Sequence, residues 1–289
     1  MDGKTKVCGI IANPVEHSMS PLLQNLYAER TGVNMAYVPF KVKEEEVEAA
    51  VKGAHSLNIL GLNVTVPHKQ SVMKYLSDID ETAAAIGAVN TLVRTEEGYK
   101  GYNSDVPGLL RAIKEAGFRI EGRDCILIGA GGAANAAAYL MLKEKAGTIY
   151  LLNRNENRAK DLAARINAAG GHVIPLALSE YGKIPKGLYF AVQSTSVGMD
   201  PDLDSAAIED PAFYENIAEA VDMVYTPAET KFMKLVRKSG GLAVNGLNML
   251  LYQGVVSYEL WNPGVTVDRE TIDEAREKIN ELLIRRKEE

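Results

Sequence analysis

Cysteine is nearly absent. The 289 residues contain two, Cys8 and Cys125, and neither stands in a CxxC or other metal-ligand spacing. That argues against a disulfide framework and a cysteine-built metal site. Both thiols fall in apolar runs, VCGII and DCILIG, where a cysteine packs as a small hydrophobe. Positive charge is also short, with 32 Lys and Arg against 38 Asp and Glu and a formal net charge of −6. Such a balance has no surplus with which to neutralise a phosphate backbone, so no nucleic-acid partner is expected. Long apolar runs are missing too: nothing approaches the ~18 to 20 residues needed to cross a bilayer. The opening stretch MDGKTKVCGIIANP passes from polar residues into a short strand and a proline, without the apolar core of a signal peptide. A cytoplasmic chain with no membrane partner is the expectation.

What is present is the composition of a folded globular protein, 46% hydrophobic and 24% charged, in a chain longer than one core usually grows. Two domains follow. Strand, helix and strand alternate through KVCGIIANP, SPLLQNLYAERTG, NMAYVPFKV, KEEEVEAAVKGAHSLN and ILGLNVTVP, the pattern of parallel βαβ units. The spacing then predicts a helix from His68 to about Ile86, and AVNTLVRT and GYKGYN, joined by EEG, read as a hairpin. DVPGLLRAIKEAGF, with proline in its first turn and glycine near its end, is a connecting helix. A second series, DCILIGAGG to GLAVNG, has the order of a doubly wound sheet. The tail reads as two helices split by Asn262-Pro263-Gly264. The expected fold class is α/β, an N-terminal α/β domain of residues 1–107 with 247–289 and a Rossmann-type dinucleotide-binding domain of residues 108–246.

Gly129, Gly131 and Ala134 form GxGxxA directly after a strand and at a helix start. The first glycine permits the tight turn, the second lets backbone approach a pyrophosphate, and the helix N-terminus favours its charge. At the end of the next strand an NAD site usually places an acid for the ribose 2′-OH. Here stand Asn153 and Arg154, with Arg158 one helical turn on. Two guanidinium groups suit a 2′-phosphate, so NADP is the expected cofactor. Lys69 closes NVTVPHK and Asp105 follows GYNS; a ketone reduction needs a proton donor at the forming alkoxide, and a lysine held by a carboxylate can serve. His17 and His68 have no partners at metal-ligand spacing, so no metal is expected.

Read together, NPVEHSMSP, GLNVTVPHK, GAVNTL, GYNSDVPG, GAGGAANA, NRNENR, STSVGM, DMVYTP and GLNMLLYQG run in order over nearly the whole chain. This set resembles the signature series of the shikimate dehydrogenases. The resemblance implies NADP-dependent, reversible reduction of 3-dehydroshikimate to shikimate, with a substrate-binding, catalytic first domain and an NADP-binding second one. It implies Lys69 and Asp105 as the catalytic pair, and Ser18 and Ser20 on the substrate carboxylate. Thr65, Asn90 and Gln253 would bind ring hydroxyls or assist the carboxylate, and Tyr225 would offer its phenol from the nucleotide-binding domain. Cofactor contacts would come from Gly129, Gly131, Gly132, Ala133, Ala134, Asn153, Arg154, Arg158, Thr195, Ser196, Met223 and Gly246.

The same residues have plainer readings. Ser18 and Ser20 flank a helix start and one could be its N-cap, Asn90 could satisfy backbone groups at a turn, and Gln253 could be an ordinary helix residue. Departures from the family pattern are Ser104 for a common threonine, Gln193-Ser194 for Asn-Ala, and Asn155 for a threonine near the 2′-phosphate. The alternatives left open are a broader quinate/shikimate enzyme using NAD and a non-catalytic relative that binds NADP or shikimate. A monomer or homodimer is expected.

Overall fold

The computed structural model describes residues 1–285. The chain divides into two compact units, Met1–Gly108 with Leu250–Glu289, and Leu109–Met249. In chain order the elements are β1 (Lys6–Ala12), α1 (Ser20–Thr31), β2 (Met35–Lys41), α2 (Val47–Ser56), β3 (Gly61–Val64), β4 (Asp78–Ile79), α3 (Glu81–Ile86), β5 (Thr91–Arg94), β6 (Tyr99–Tyr102) and α4 (Asp105–Glu115). There follow β7 (Cys125–Ile128), α5 (Gly132–Lys143), β8 (Ile149–Asn153), α6 (Glu156–Ala168), β9 (Val173–Ala177), β10 (Tyr189–Gln193), α7 (Pro211–Tyr214), β11 (Ile217–Asp222), α8 (Lys231–Lys238), β12 (Leu242–Val244), α9 (Leu247–Trp261) and α10 (Arg269–Arg285).

The first unit carries a six-stranded sheet in the order β2-β1-β3-β5-β6-β4. β1 pairs in parallel with β2 and β3, because α1 and α2 supply the long crossovers that parallel neighbours need. β5 and β6 form the expected antiparallel hairpin, with Thr91 opposite Tyr102 and Arg94 opposite Tyr99. The helix expected from His68 to Ile86 is not there as one element. Ser71–Tyr75 is a 3-10 turn, β4 follows, and only Glu81–Ile86 is α-helical. The competing interaction is the sheet: Ser77 N–H donates to Tyr99 C=O at 3.0 Å and Asp80 N–H to Gly101 C=O at 2.9 Å, which removes both from any helical ladder. Asp80 then caps α3 by accepting from Thr82 and Ala83 N–H.

The tail helices return to this unit. Tyr27, Tyr258 and Trp261 are among its largest fully buried side chains. The Trp261 indole donates to Leu92 C=O at 2.9 Å, and the Tyr27 phenol to Leu251 C=O at 3.3 Å. Trp261 lies so close to β3 that a Cβ added to Gly61 would stand 2.0 Å from its Nε1.

The second unit has a six-stranded sheet in the order β12-β11-β10-β7-β8-β9, with every pairing parallel. β7, CILI, is wholly buried, as a central strand covered on both faces should be. Strand order reverses between β7 and β10, and the crevice beyond their carboxyl ends is where a sheet of this kind takes ligands.

Two glycines of the first unit separate crowding from flexibility. Gly61→Ala should destabilise by roughly 1 to 3 kcal/mol, because the methyl must displace a packed indole. Gly53 in α2 has nothing within 4 Å of its added Cβ, so Gly53→Ala should stabilise by about 0.5 to 1 kcal/mol. Urea melts of the two variants check the opposite signs.

Candidate active site

Lys69 and Asp105 are 36 residues apart in sequence and meet in the first unit, Lys69 Nζ donating to Asp105 Oδ2 at 2.6 Å. Their side chains are 17% and 8% exposed, so the pair is mostly withdrawn from water. Each end is anchored by backbone. Lys69 C=O accepts Val89 N–H at 2.8 Å, and Asp105 N–H donates to Asn103 Oδ1 at 3.0 Å. The second Asp105 oxygen, Oδ1, accepts from Asn90 Nδ2 at 2.9 Å.

The orientation of the Asn90 amide is dictated, not chosen. Ser104 N–H, which can only donate, reaches Asn90 Oδ1 at 2.7 Å, so the amide nitrogen must face Asp105 and the Ser104 hydroxyl. Asn90 is 2% exposed and both its hydrogens are directed at these two partners. A ring hydroxyl reaching it would share the proton now given to Asp105.

Behind Asn90 lies a group of buried polar side chains that sequence reasoning missed: Asn63, Thr91 and Ser257, with Tyr37 beyond them. Thr91 and Ser257 hydroxyls are 2.8 Å apart, Ser257 donates to Ser104 Oγ at 3.1 Å, and Asn63 Nδ2 donates to Ser257 Oγ at 3.0 Å. The available signals were an asparagine inside the apolar strand GLNV and a serine one turn beyond Gln253 on an apolar helix.

Ser18 and Ser20 sit at the start of α1, but the N-cap is Met19, with no side-chain cap, so the capping role does not describe either serine. Ser18 Oγ instead accepts Ser20 N–H at 3.2 Å. Burial pushes the Tyr37 phenol well above its ordinary range. Thr65 is half-buried, and its hydroxyl has no partner among the described residues. Gln253, on α9, turns Oε1 toward the Ser104 hydroxyl at 3.4 Å. Tyr225 belongs to the second unit, half-buried just after β11.

In that second unit the GxGxxA turn lies between β7 and α5. Gly129 has φ +111°, and a Cβ there would meet Ser194 Oγ at 2.6 Å, so both backbone conformation and space require glycine. Gly131 has nothing within 4 Å, and its position as N-cap of α5 brings no side-chain cap. The first N–H groups of Gly132, Ala133 and Ala134 are therefore left for a ligand, which fits a pyrophosphate. Ala134 is fully buried at the helix–strand contact. Asn153 ends β8, and its amide donates to Asn155 C=O. Arg154 and Arg158 are exposed and carry no ion pair among the described residues. Asn155 caps α6 by accepting Arg158 N–H at 3.2 Å. Together these residues fit a dinucleotide bearing a 2′-phosphate.

The loop after β10 carries Thr195, half-buried, and Ser196, exposed. Gln193 holds it from below, its Oε1 accepting Thr195 N–H and its Nε2 donating to Val197 C=O at 3.2 Å. Gln193 C=O accepts Met223 N–H at 2.8 Å, and a Cβ on Gly246 would fall 2.2 Å from Met223 C=O, so Met223 and Gly246 are placed backbone against backbone. Asp222, also missed from the sequence, is fully buried and accepts from Thr230, Val224 N–H and Gln193. Cys8 and Cys125 are buried free thiols, pushed up to about 12 by burial. His68 is buried and donates to Val42 C=O, while His17 is exposed. Among the described residues no acidic, histidine or cysteine cluster could hold a metal.

Burial pushes the Asp222 carboxyl up from 3.8 to about 6. The folded chain thus holds this proton where the unfolded chain has lost it, so stability falls as pH rises from about 4 to 6 and levels off above. Asp222→Asn should remove that part of the pH dependence, worth no more than about 3 kcal/mol. Urea melts of both proteins across the window test it, and parallel curves would contradict it.

Family models described as shikimate dehydrogenase substrate binding domain, shikimate / quinate 5-dehydrogenase and shikimate 5′-dehydrogenase C-terminal domain match residues 10–92, 111–196 and 246–275. A protein named shikimate dehydrogenase (NADP(+)) from Desulforamulus reducens is 42% identical over 269 residues, covering 90% of this chain and 91% of that protein. A shikimate dehydrogenase solved in complex with NADP+ aligns with TM-score 0.86 at 34% identity, covering 96% of each chain. The shikimate 5-dehydrogenase of Listeria monocytogenes, solved with shikimate and NAD, gives 0.87 at 28% identity, over 96% of this chain and 98% of that one. Sequence and fold agree over nearly the whole length, and this chain belongs to the shikimate dehydrogenase family.

Proposed function

We propose that this chain is an NADP-dependent shikimate dehydrogenase, reducing 3-dehydroshikimate reversibly to shikimate. The observation that carries the reading is the Lys69 ammonium held at 2.6 Å by a carboxylate whose other oxygen is already occupied by Asn90. In this arrangement Asp105 has a fixed orientation and Lys69 a fixed donor direction.

NADPH held by the second unit would supply the hydride for the C3 carbonyl carbon. Lys69 Nζ gives its proton to the carbonyl oxygen as negative charge develops there, and takes it back in the oxidising direction. Asp105 keeps the ammonium in place and accepts a hydrogen bond from the neighbouring ring hydroxyl. Ser18 and Ser20 hold the substrate carboxylate with neutral donors, the unpartnered Thr65 hydroxyl and Gln253 take ring or carboxylate oxygens, and Tyr225 adds its phenol. Asn90 serves chiefly by orienting Asp105. The first unit is the substrate-binding, catalytic part and the second the NADP-binding part. Gly129, Gly131, Gly132, Ala133 and Ala134 receive the pyrophosphate, and Asn153, Arg154 and Arg158 the 2′-phosphate end. Thr195, Ser196, Met223 and Gly246 form the nicotinamide end. A cytoplasmic location, with the chain acting as a monomer or homodimer, is part of this proposal.

The purified chain should form NADPH from shikimate and NADP, and Lys69→Ala should lower kcat by ~10² to 10⁴ while shikimate KM changes little. Near-normal turnover in the folded variant would remove Lys69 from the mechanism. The ratio of kcat/KM for NADP over NAD should be at least about tenfold and should shrink with added salt and in Arg154→Ala and Arg158→Ala. Equal efficiencies would favour the NAD-using, quinate-accepting reading instead.

A further inference from the structure

Three hydroxyls of the first unit form a closed triangle. Thr91 and Ser257 are 2.8 Å apart, Ser257 and Ser104 3.1 Å, and Thr91 and Ser104 3.3 Å. None of the three side chains is exposed to water. Two asparagine amides each bridge one edge of the triangle, and the two edges share Thr91. Asn90 accepts from Thr91 at 3.0 Å and donates to Ser104 at 3.0 Å. Asn63 donates to Ser257 at 3.0 Å and to Thr91 at 3.3 Å.

Backbone groups fix both amides. Ser104 N–H settles Asn90 as described, and Asn90 C=O accepts Asn63 Nδ2 at 3.2 Å, so Asn63 Oδ1 must face away. There it accepts from the Tyr37 phenol at 2.7 Å. One continuous polar chain therefore joins Tyr37 to Asp105 and Lys69. Ser257 is its only triangle corner that comes from α9, where its one hydroxyl proton is shared between Ser104 Oγ and Gln253 C=O, 3.0 Å away one turn earlier.

We infer that Ser257 is a positioning residue: its buried hydroxyl ties α9 and Gln253 to the Asn90 amide that orients Asp105, and so sets how firmly Lys69 is held. Without it, Asn63 loses an acceptor and Ser104 a donor in a site closed to water. The triangle opens at one corner, Ser104 and Asn90 gain freedom, and the Asn90 bond to Asp105 weakens. A less firmly oriented carboxylate holds the Lys69 ammonium less firmly, and the amine spends more time away from Asp105.

The experiment compares Ser257→Ala with Tyr258→Phe. Tyr258 is the next residue of α9, fully buried, and its hydroxyl bonds Thr31 at 2.5 Å, outside the triangle. Both variants lose a buried hydrogen bond on the same helix, so both melt lower. Labelling of Lys69 by an amine-reactive reagent, read by peptide mass spectrometry against exposed Lys52, should rise about threefold in Ser257→Ala, as expected when a buried hydrogen bond of the network that holds it is lost, and stay at the wild-type value in Tyr258→Phe. Unchanged Lys69 labelling in folded Ser257→Ala, or an equal rise in Tyr258→Phe, would overturn the proposal.

A second arm rests on the proposed reaction. In Ser257→Ala kcat should fall about tenfold and shikimate KM rise a few-fold, with NADP KM unchanged, a split that simple loss of folded protein does not produce. Wild-type protein inactive with shikimate would sink the proposed function alone, since the labelling comparison still decides the role of Ser257.

Discussion

A single backbone hydrogen bond organises the first unit's chemistry. Ser104 N–H points at Asn90 Oδ1 from 2.7 Å, and because an N–H cannot accept, the amide can sit only one way. Asp105 is then bound at one oxygen by Asn90 and at the other by Lys69. Reversing the amide would set a carbonyl oxygen against a carboxylate and leave a buried N–H against an N–H. Each unsatisfied group of that kind costs about 1 to 3 kcal/mol, more when a charge is involved. The geometry of the Lys69–Asp105 pair thus depends on the hydrogen bonds that satisfy Asn90 behind it.

The second unit works by removing side chains. Gly129 leaves room where Ser194 packs, Gly246 lets backbone lie on Met223, and Gly131 leaves the start of α5 uncovered. The positive elements are few: helix N–H groups and the exposed Arg154 and Arg158. That division suits a shared cofactor, whose reactivity is its own and for which the protein supplies place and charge. The buried carboxyl of Asp222 adds rigidity by holding Gln193, Val224 and Thr230, at the expense of carrying a group that resists ionisation.

What was legible in the sequence follows from how local each signal is. Strand, helix and turn periods showed the two sheets, and GxGxxA showed its own strand-turn-helix because all its determinants lie within a few residues. The segment from His68 to Ile86 misled because its helical pattern lost to pairing with β6, a partner some 20 residues on. Lys69 and Asp105 were legible as residue types, yet nothing in their spacing showed that they meet. Asn63, Thr91 and Ser257 escaped notice for the same reason in stronger form. Each is an unremarked polar residue in an apolar element until β3, β5 and α9 converge. Asp222 was hidden inside EAVDMVY, where a lone acid gives no hint of what satisfies it.

The central claim is that Asn90 acts through Asp105, and a double-mutant cycle in kcat/KM between Asn90→Ala and Asp105→Asn tests it most directly. If Asn90 serves by orienting that carboxylate, its loss adds little once the carboxylate is gone, and the double variant should match Asp105→Asn within about twofold. Full multiplication of the two single effects would mean that the residues act independently on the substrate, and the account of a carboxylate oriented from behind would be wrong.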